Sequence, residues 1–345
     1  MLTIVFGAGA SYDSDPLRTP PPGYQERPPL SNELFDLRDR FTSVIARYRQ
    51  LAAITNDIRR NVRSGQNLET VLAAMKETRS TYPIFPSQLM ALRYYLRDVI
   101  DETSIEWSKQ CSGATTYAEF ANLVSAWSHE TGNYANYITF NYDVLLEEAL
   151  FNIGQTFLDL EDYIRPPGIG APNVIRPHGS VRWCQIMRSG TPLNSNSAPI
   201  DIINNASHLT ATEVILLEKP DEKYFESLGE YRTVVPAIAL PVDNKQEFVC
   251  PERHVNTMRE IIQQTKVLLI IGWKGTDPHF VDELKAMIMP GTSLFVCNGS
   301  EIQSASTVES LGLKQTHSYA TEFGFSSLTE SDYFQEILKK AKYAT

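Results

Sequence analysis

Residues 1–11 read MLTIVFGAGAS, and this stretch decides the fold. Leu2 to Phe6 is a short apolar run without charge, and it breaks at once into Gly7-Ala8-Gly9-Ala10-Ser11. An apolar run that ends in glycines is the pattern of a buried parallel strand turning into a helix. Glycine at the turn lets the backbone bend sharply and come close to a neighbour without a Cβ in the way. A helix beginning there points free N–H groups past the strand end, a field suited to a pyrophosphate. The dinucleotide fingerprint is incomplete, because Tyr12 and Asp13 follow Ser11 and no third glycine stands in place. From these residues alone, nucleotide binding and a plain tight turn both remain open.

Residues 12–30 hold Pro16, Pro20, Pro21, Pro22, Pro28 and Pro29, which forbid a continuing helix. So long an irregular loop either covers a site or lies on the surface. From Ser31 the pattern turns helical, with Leu34, Leu37, Phe41, Val44 and Ile45 at helix spacing and Ser31 or Asn32 as the cap. Further helices are expected over 67–76, capped by Asn67, from Pro86 through Leu89, Leu92, Leu96 and Ile100, and over 117–127. Residues 31–130 therefore read as all-helical.

Beyond residue 130 the texture changes. Residues 137–140 are strand-like and stop at Asn141-Tyr142-Asp143, with a helix over 144–151. Val174-Ile175 leads to Arg176-Pro177-His178-Gly179-Ser180. Residues 212–217 and 234–240 are β candidates, and 251–264 is a helix with proline in its first turn. The run KVLLII at 266–271 is the clearest buried strand. It ends at Gly272-Trp273-Lys274-Gly275-Thr276-Asp277, and a helix follows from Pro278. Residues 293–296 form another buried strand before Asn298-Gly299, and 333–342 close the chain as a helix. Strands alternating with helices predict an α/β fold with a doubly wound, mostly parallel, Rossmann-like sheet. Its core is expected over 1–30 and 131–345, with 31–130 as a large all-helical insertion. In such sheets ligands sit beyond the carboxyl ends of the strands. The glycine-rich and polar residues collect there: Gly7 to Ser11, Asn141 to Asp143, His178 to Ser180, Gly272 to Asp277, and Asn298.

The totals narrow the class. At 345 residues the chain has room for one large domain or two smaller ones. A net charge of −10 argues against non-specific nucleic-acid binding through an overall basic surface. Cys111, Cys184, Cys250 and Cys297 are scattered and form no C-x-x-C, so no zinc ribbon or redox dithiol is signalled. Such cysteines fit buried thiols in a reducing cytoplasm. The opening apolar run is too short for a signal peptide or a membrane span.

The ordered blocks GAGAS, TFNYD, PHGS, and a late LIIG strand followed by VCN resemble the sirtuin-like family. By position, the resemblance implies that Gly7, Ala8, Gly9 and Ser11 hold the pyrophosphate of NAD. Asn141 then stands at the nicotinamide ribose and Asp143 at the nicotinamide carboxamide. His178 is the general base, and Gly272 and Asn298 line the adenosine side. The chemistry asks for these residue types. Breaking the nicotinamide–ribose bond builds positive charge on the sugar, so dipoles, a negative charge and a base near neutral pKa serve it. No metal is needed. Each residue also has a plain structural reading. His178 is then a turn histidine, Asn141 and Asp143 an N-cap pair, Asn298-Gly299 a turn, and Asp277 the cap of the following helix. His129, His208, His254, His279 and His317 show no partner pattern. Trp183 and Trp273 read as packing residues.

The departures from the family pattern are informative. No four-cysteine zinc module follows His178, and residues 234–241 replace the family's peptide-pairing segment. Phe140 stands for the usual glutamine, and Lys274 for a small hydroxyl residue. Peptide deacylation is thereby disfavoured and the NAD-cleaving half remains. With the helical insertion, this looks like the bacterial sirtuin-like proteins of anti-phage defence. That branch implies a cytoplasmic NAD glycohydrolase acting as an oligomer or beside an ATPase or nuclease partner. An ADP-ribosyltransferase and a non-catalytic sensor of NAD or ADP-ribose are the alternatives.

Overall fold

Six strands pair in parallel and run out at the same edge of one sheet in a computed structural model, while the candidates at 212–217 and 234–240 fall in a separate antiparallel sheet. The structure describes residues 1–16, 26–165, 171–194, 199–217, 220–240, 248–314 and 316–343. The chain divides into two compact units, one of Met1–Pro28, Thr103–Pro177 and Cys250–Thr345, the other of Pro29–Glu102 and His178–Val249.

The first unit holds six strands: β1 (Leu2–Phe6), β2 (Ala135–Thr139), β3 (Val174–Ile175), β7 (Val267–Ile271), β8 (Ser293–Cys297) and β9 (His317–Thr321). Their order is β3-β2-β1-β7-β8-β9 and all pairings are parallel. In β1, β2, β7 and β8 every residue is buried, as expected of a sheet covered on both faces by helices. Phe6 pairs with Thr139 on one side and Ile271 on the other, and Ile271 pairs with Cys297. The next residues, Gly7, Phe140, Gly272 and Asn298, therefore emerge level with one another. Strand order reverses between β1 and β7, the switch point at which doubly wound sheets place their ligands.

Helices α1 (Ala8–Tyr12), α6 (Thr116–Thr131), α7 (Leu145–Asn152), α10 (Glu252–Gln264), α11 (Pro278–Met287), α12 (Glu301–Leu311), α13 (Phe325–Thr329) and α14 (Asp332–Tyr343) belong to this unit. Phe6 anchors an aromatic cluster with Tyr117, Phe120 and Phe325 at centroid distances of 5.2, 5.5 and 5.6 Å. Phe334 stacks on Phe120 at 5.0 Å and extends the cluster.

The second unit holds α2 (Asp39–Arg47), α3 (Ala52–Arg63), α4 (Leu68–Arg79), α8 (Ile200–Asn204), α9 (Glu222–Leu228) and most of α5 (Phe85–Gln110). Its antiparallel sheet comprises β4 (Gly179–Ser189), β5 (Leu209–Leu216) and β6 (Arg232–Ile238) in the order β5-β4-β6. Residues 31–130 are helical wherever they form regular structure. The compact units divide that stretch after Glu102, and β4, β5 and β6 form a sheet of their own. The helix expected from Ser31 begins instead at Asp39, after a single 3₁₀ turn over Ser31–Glu33. Leu37 is exposed, and Asn32 accepts the Leu68 amide at 2.9 Å at the start of α4, which Asn67 also caps.

Candidate functional site

The Gly7 amide donates to the Ile271 carbonyl at 3.0 Å and the Gly9 amide to the Gly272 carbonyl at 2.9 Å. A Cβ on Gly7 would lie 2.6 Å from the Gly272 oxygen, and one on Gly9 2.9 Å from the Gly272 Cα. Gly272 has φ of +63°, and a Cβ there would sit 2.1 Å from the Ala10 nitrogen. Two strand-end turns thus pack backbone on backbone across the β1–β7 switch point, and only glycine permits it. The Gly7 and Gly9 amides expected to face a pyrophosphate are already donating to the end of β7. Ala8 is exposed, and Ser11 is the polar side chain that this turn carries inward, 1% exposed.

Beyond β2 the chain meets that serine. The Phe140 amide donates to the Phe6 carbonyl at 2.9 Å, continuing the ladder, and the Asn141 amide donates to Thr139 Oγ1 at 3.2 Å. This aims the Asn141 side chain at Ser11. Asn141 Nδ2 donates to Ser11 Oγ at 2.8 Å and to the Tyr117 hydroxyl at 3.1 Å, and the two hydroxyl oxygens are 3.1 Å apart. The nearby Ser11 hydroxyl favours the ionised form of the Asp143 carboxyl. Asp143 Oδ1 accepts the Leu145 amide at 3.2 Å, so one residue serves both the start of α7 and this cluster. Asn141 and Asp143 are 5% and 6% exposed. Asn141 Oδ1 is buried and has no hydrogen-bond partner. Burial raises the Asp143 pKa above the usual carboxylate value, against the pull of Ser11 and then of Arg176. Burial, then the nearby Asp143 charge, raises Tyr117 well above an ordinary tyrosine, so its hydroxyl keeps its proton.

Beneath the cluster lies an ion pair the sequence reading did not single out. Arg176, fully buried just after β3, donates to the carbonyls of Asn141 at 2.8 Å and Asp143 at 2.6 Å. Its guanidinium also forks onto the Glu147 carboxylate, with Nε to Oε1 at 2.5 Å and Nη2 to Oε2. Tyr163 donates to Glu147 Oε1 at 3.1 Å. Arg176 thus fixes the backbone of the turn that presents Asn141. Two signs of it stand in the sequence: an arginine directly after an apolar strand, and a glutamate inside the apolar helix run at 144–151.

On the other flank Asn298 Nδ2 donates to the Trp273 carbonyl at 3.1 Å and to Thr307 Oγ1 at 2.8 Å, while its backbone amide donates to Ser304 Oγ at 3.0 Å. Its Oδ1 is buried without a hydrogen-bond partner. Trp273 stacks on Phe140 at 4.9 Å and 8°, with Phe280 edge-on at 5.4 Å, and is a packing residue. Asp277 caps α11 through the Phe280 amide at 2.9 Å.

His178 belongs to the second unit and is half-buried. Its carbonyl accepts the Ala239 amide at 2.9 Å, and Gly179 after it, at φ +78°, meets the Ala237 backbone too closely for any Cβ. The block 176–180, expected as a strand end, runs directly into the eleven-residue strand β4. The structure therefore brings Ser11, Asn141 and Asp143 together and adds Tyr117. Gly7, Gly9, Gly272 and Asn298 form the adjoining flank of the same unit. His254 Nε2 meets the Leu160 carbonyl at 3.1 Å, and burial pushes its pKa down to about 4, so it is a neutral structural histidine. In the expected loop over 12–30, Ser14 takes the Trp107 indole N–H at 2.9 Å, and Arg27 lies over the Tyr12 ring at 4.4 Å. Residues 17–25 lie outside the described residues, as does the closure expected of them. Among the described residues no group of three or more His, Cys, Asp or Glu is placed to hold a metal, and no helix is long and apolar enough to cross a membrane.

No family model matches the chain, and no curated protein matches it. Solved structures similar to it include a mutant Sir2 homologue in complex with ADP-ribose, at 14% identity and a TM-score of 0.43, covering 100% of this chain and 94% of that one. A Sir2 homologue–NAD complex is similar at 13% identity and a TM-score of 0.40, covering 99% and 90%. A structure described as the basis for the mechanism and regulation of Sir2 enzymes is similar at 11% identity and a TM-score of 0.41, covering 99% and 91%.

Proposed function

We propose that this protein is an NAD glycohydrolase, cleaving NAD to nicotinamide and ADP-ribose, and that it serves as an anti-phage effector. The observation that carries the reading is the Ser11–Asn141–Asp143 cluster at the carboxyl ends of β1 and β2, with a buried carbonyl oxygen, Asn141 Oδ1, that no protein group satisfies. Buried polar atoms are normally paired, and one left open in such a place is suited to a reactant. In the proposed reaction the C–N bond to the pyridinium breaks, and nicotinamide leaves with the bonding pair. Water adds to the ribose carbon, and its proton passes to a base. Asn141 Oδ1 accepts a hydrogen bond from the water or a ribose hydroxyl. Asp143 supplies negative charge against the cationic sugar. An ionised carboxylate offers about four acceptor positions; the Leu145 amide occupies one, leaving capacity for the carboxamide N–H. His178 is assigned the base from its Pro-His-Gly-Ser block. Ala8, Ser11, Gly272 and Asn298 are assigned to binding of the dinucleotide. An oligomer, or an ATPase or nuclease partner, belongs to the same reading.

The test is nicotinamide release from NAD across rising protein concentration, with mass measured alongside. Wild type releases nicotinamide and free ADP-ribose. Asn141→Ala and His178→Ala stay folded and lose on the order of 10²–10³ in rate. Full activity in either variant removes that residue from the reaction. Label retained on a macromolecule, or tight NAD binding with no turnover by the assembled protein, overturns hydrolysis.

A further inference from the structure

Tyr117 is the member of the buried cluster that no motif contains. It sits in the first turn of α6, 1% exposed, and its ring is packed by Phe6 at 5.2 Å and Phe325 at 4.8 Å. Its hydroxyl closes a triangle with Ser11 Oγ and Asn141 Nδ2, with sides of 2.8, 3.1 and 3.1 Å.

Asn141 presents its NH₂ to both hydroxyl oxygens, which accept with their lone pairs. Each hydroxyl keeps one O–H, and one of the two donates to the other across 3.1 Å. The amide is thus gripped by its nitrogen from two hydroxyl oxygens, and its carbonyl oxygen is turned the other way, where it has no hydrogen-bond partner.

We infer that Tyr117 is a positioning residue, whose hydroxyl joins Ser11 in fixing the Asn141 amide so that Oδ1 faces the reactant. The inference rests on the NAD-cleaving reading for its kinetic consequence, but the grip on the amide is measurable without NAD. In protein labelled with ¹⁵N-asparagine, the Asn141 side-chain amide signal is assigned by its loss in Asn141→Ala. Tyr117→Phe keeps the ring and its packing and removes only the hydroxyl. The expected result is a shifted Asn141 amide signal with faster solvent exchange, a kcat for nicotinamide release lowered about three- to tenfold, and an unchanged KM. An Asn141 signal that Tyr117→Phe leaves in place overturns the inference, whatever the rate. A moved signal with unchanged kcat overturns the link to the reaction. Wild-type protein that cleaves no NAD sinks the proposed activity, and the amide signal still decides whether Tyr117 orients Asn141.

Discussion

The two flanks of β1 end level with one another and end in opposite chemistry. Toward β7 the strand ends close on themselves, with the Gly7 and Gly9 amides paired to Ile271 and Gly272 and no room for a single Cβ. Toward β2 they carry buried hydroxyl, amide and carboxyl groups, one oxygen of which is left without a partner. The same register serves both. The glycine flank sets the spacing of the switch point, and the Asn141 flank gathers buried polar side chains at that spacing. The largest effect that would break this contrast is steric. Gly272→Ala places a methyl 2.1 Å from the Ala10 nitrogen at a positive φ, and should cost at least about 3 kcal/mol, read as lost soluble protein or a collapsed thermal transition. A folded, stable Gly272→Ala protein would show that the flank is looser than its glycines imply.

The next effect tests what stiffens the Asn141 flank. Arg176→Met leaves Glu147 buried without its partner and frees the Asn141 and Asp143 carbonyls. Removing one member of such a pair costs about 3–5 kcal/mol. Adding Glu147→Leu should recover part of the stability, because the stranded charge is gone. NAD cleavage should not recover with it, since the turn that holds Asn141 is still unpinned. Denaturant melts and nicotinamide release, measured on both variants, separate the two.

A smaller effect has a sign fixed by burial. Asp143 holds its proton more tightly folded than unfolded, because burial penalises the charge. Its contribution to stability is therefore full at low pH and is lost as pH rises through the folded value. Asp143→Asn removes that penalty while keeping an acceptor for the Leu145 amide. The variant should melt a few degrees higher than wild type at pH 7–8, with the gain vanishing toward pH 4, and should lose activity. A variant destabilised at neutral pH would mean that Ser11 and Arg176 outweigh burial.

What was legible in the chain follows the same contrast. LTIVF, VLLII and SLFVC announce themselves because strands buried on both faces need no polar alternation. Strand β9, HSYAT, lies at the sheet edge with three exposed residues, and its mixed character hides it. Helix α3, AAITNDIRRNVR, buries only Ile54, Thr55 and Ile58, too narrow a stripe to stand out. Ser11 and Asn141 are readable as polar residues at strand ends. Tyr117 is not, because helix spacing marks it as a core residue, and only the tertiary fold reveals what its hydroxyl meets. Strand β4 was obscured because it begins inside the Pro-His-Gly-Ser block, whose local pattern is that of a strand end, and its mostly buried residues carry no inside–outside alternation.

The smallest effect concerns Asn298, which places an open side-chain oxygen on the glycine flank. Like Asn141 it has a buried Oδ1 with no hydrogen-bond partner, and like Asn141 its Nδ2 is held by protein. Its anchors are the Trp273 carbonyl and Thr307, both structural, and no ionisable side chain hydrogen-bonds its amide among the contacts described. If its oxygen serves only to grip the far end of the dinucleotide, it contributes equally to ground state and transition state, and uniform binding of that kind sets KM rather than kcat. Asn298→Ala should then raise the KM for NAD about three- to tenfold, the range set by one lost hydrogen bond, with kcat unchanged and a melting temperature only slightly lowered. A fall in kcat at unchanged KM would place Asn298 in the chemistry and erase the distinction between the flanks.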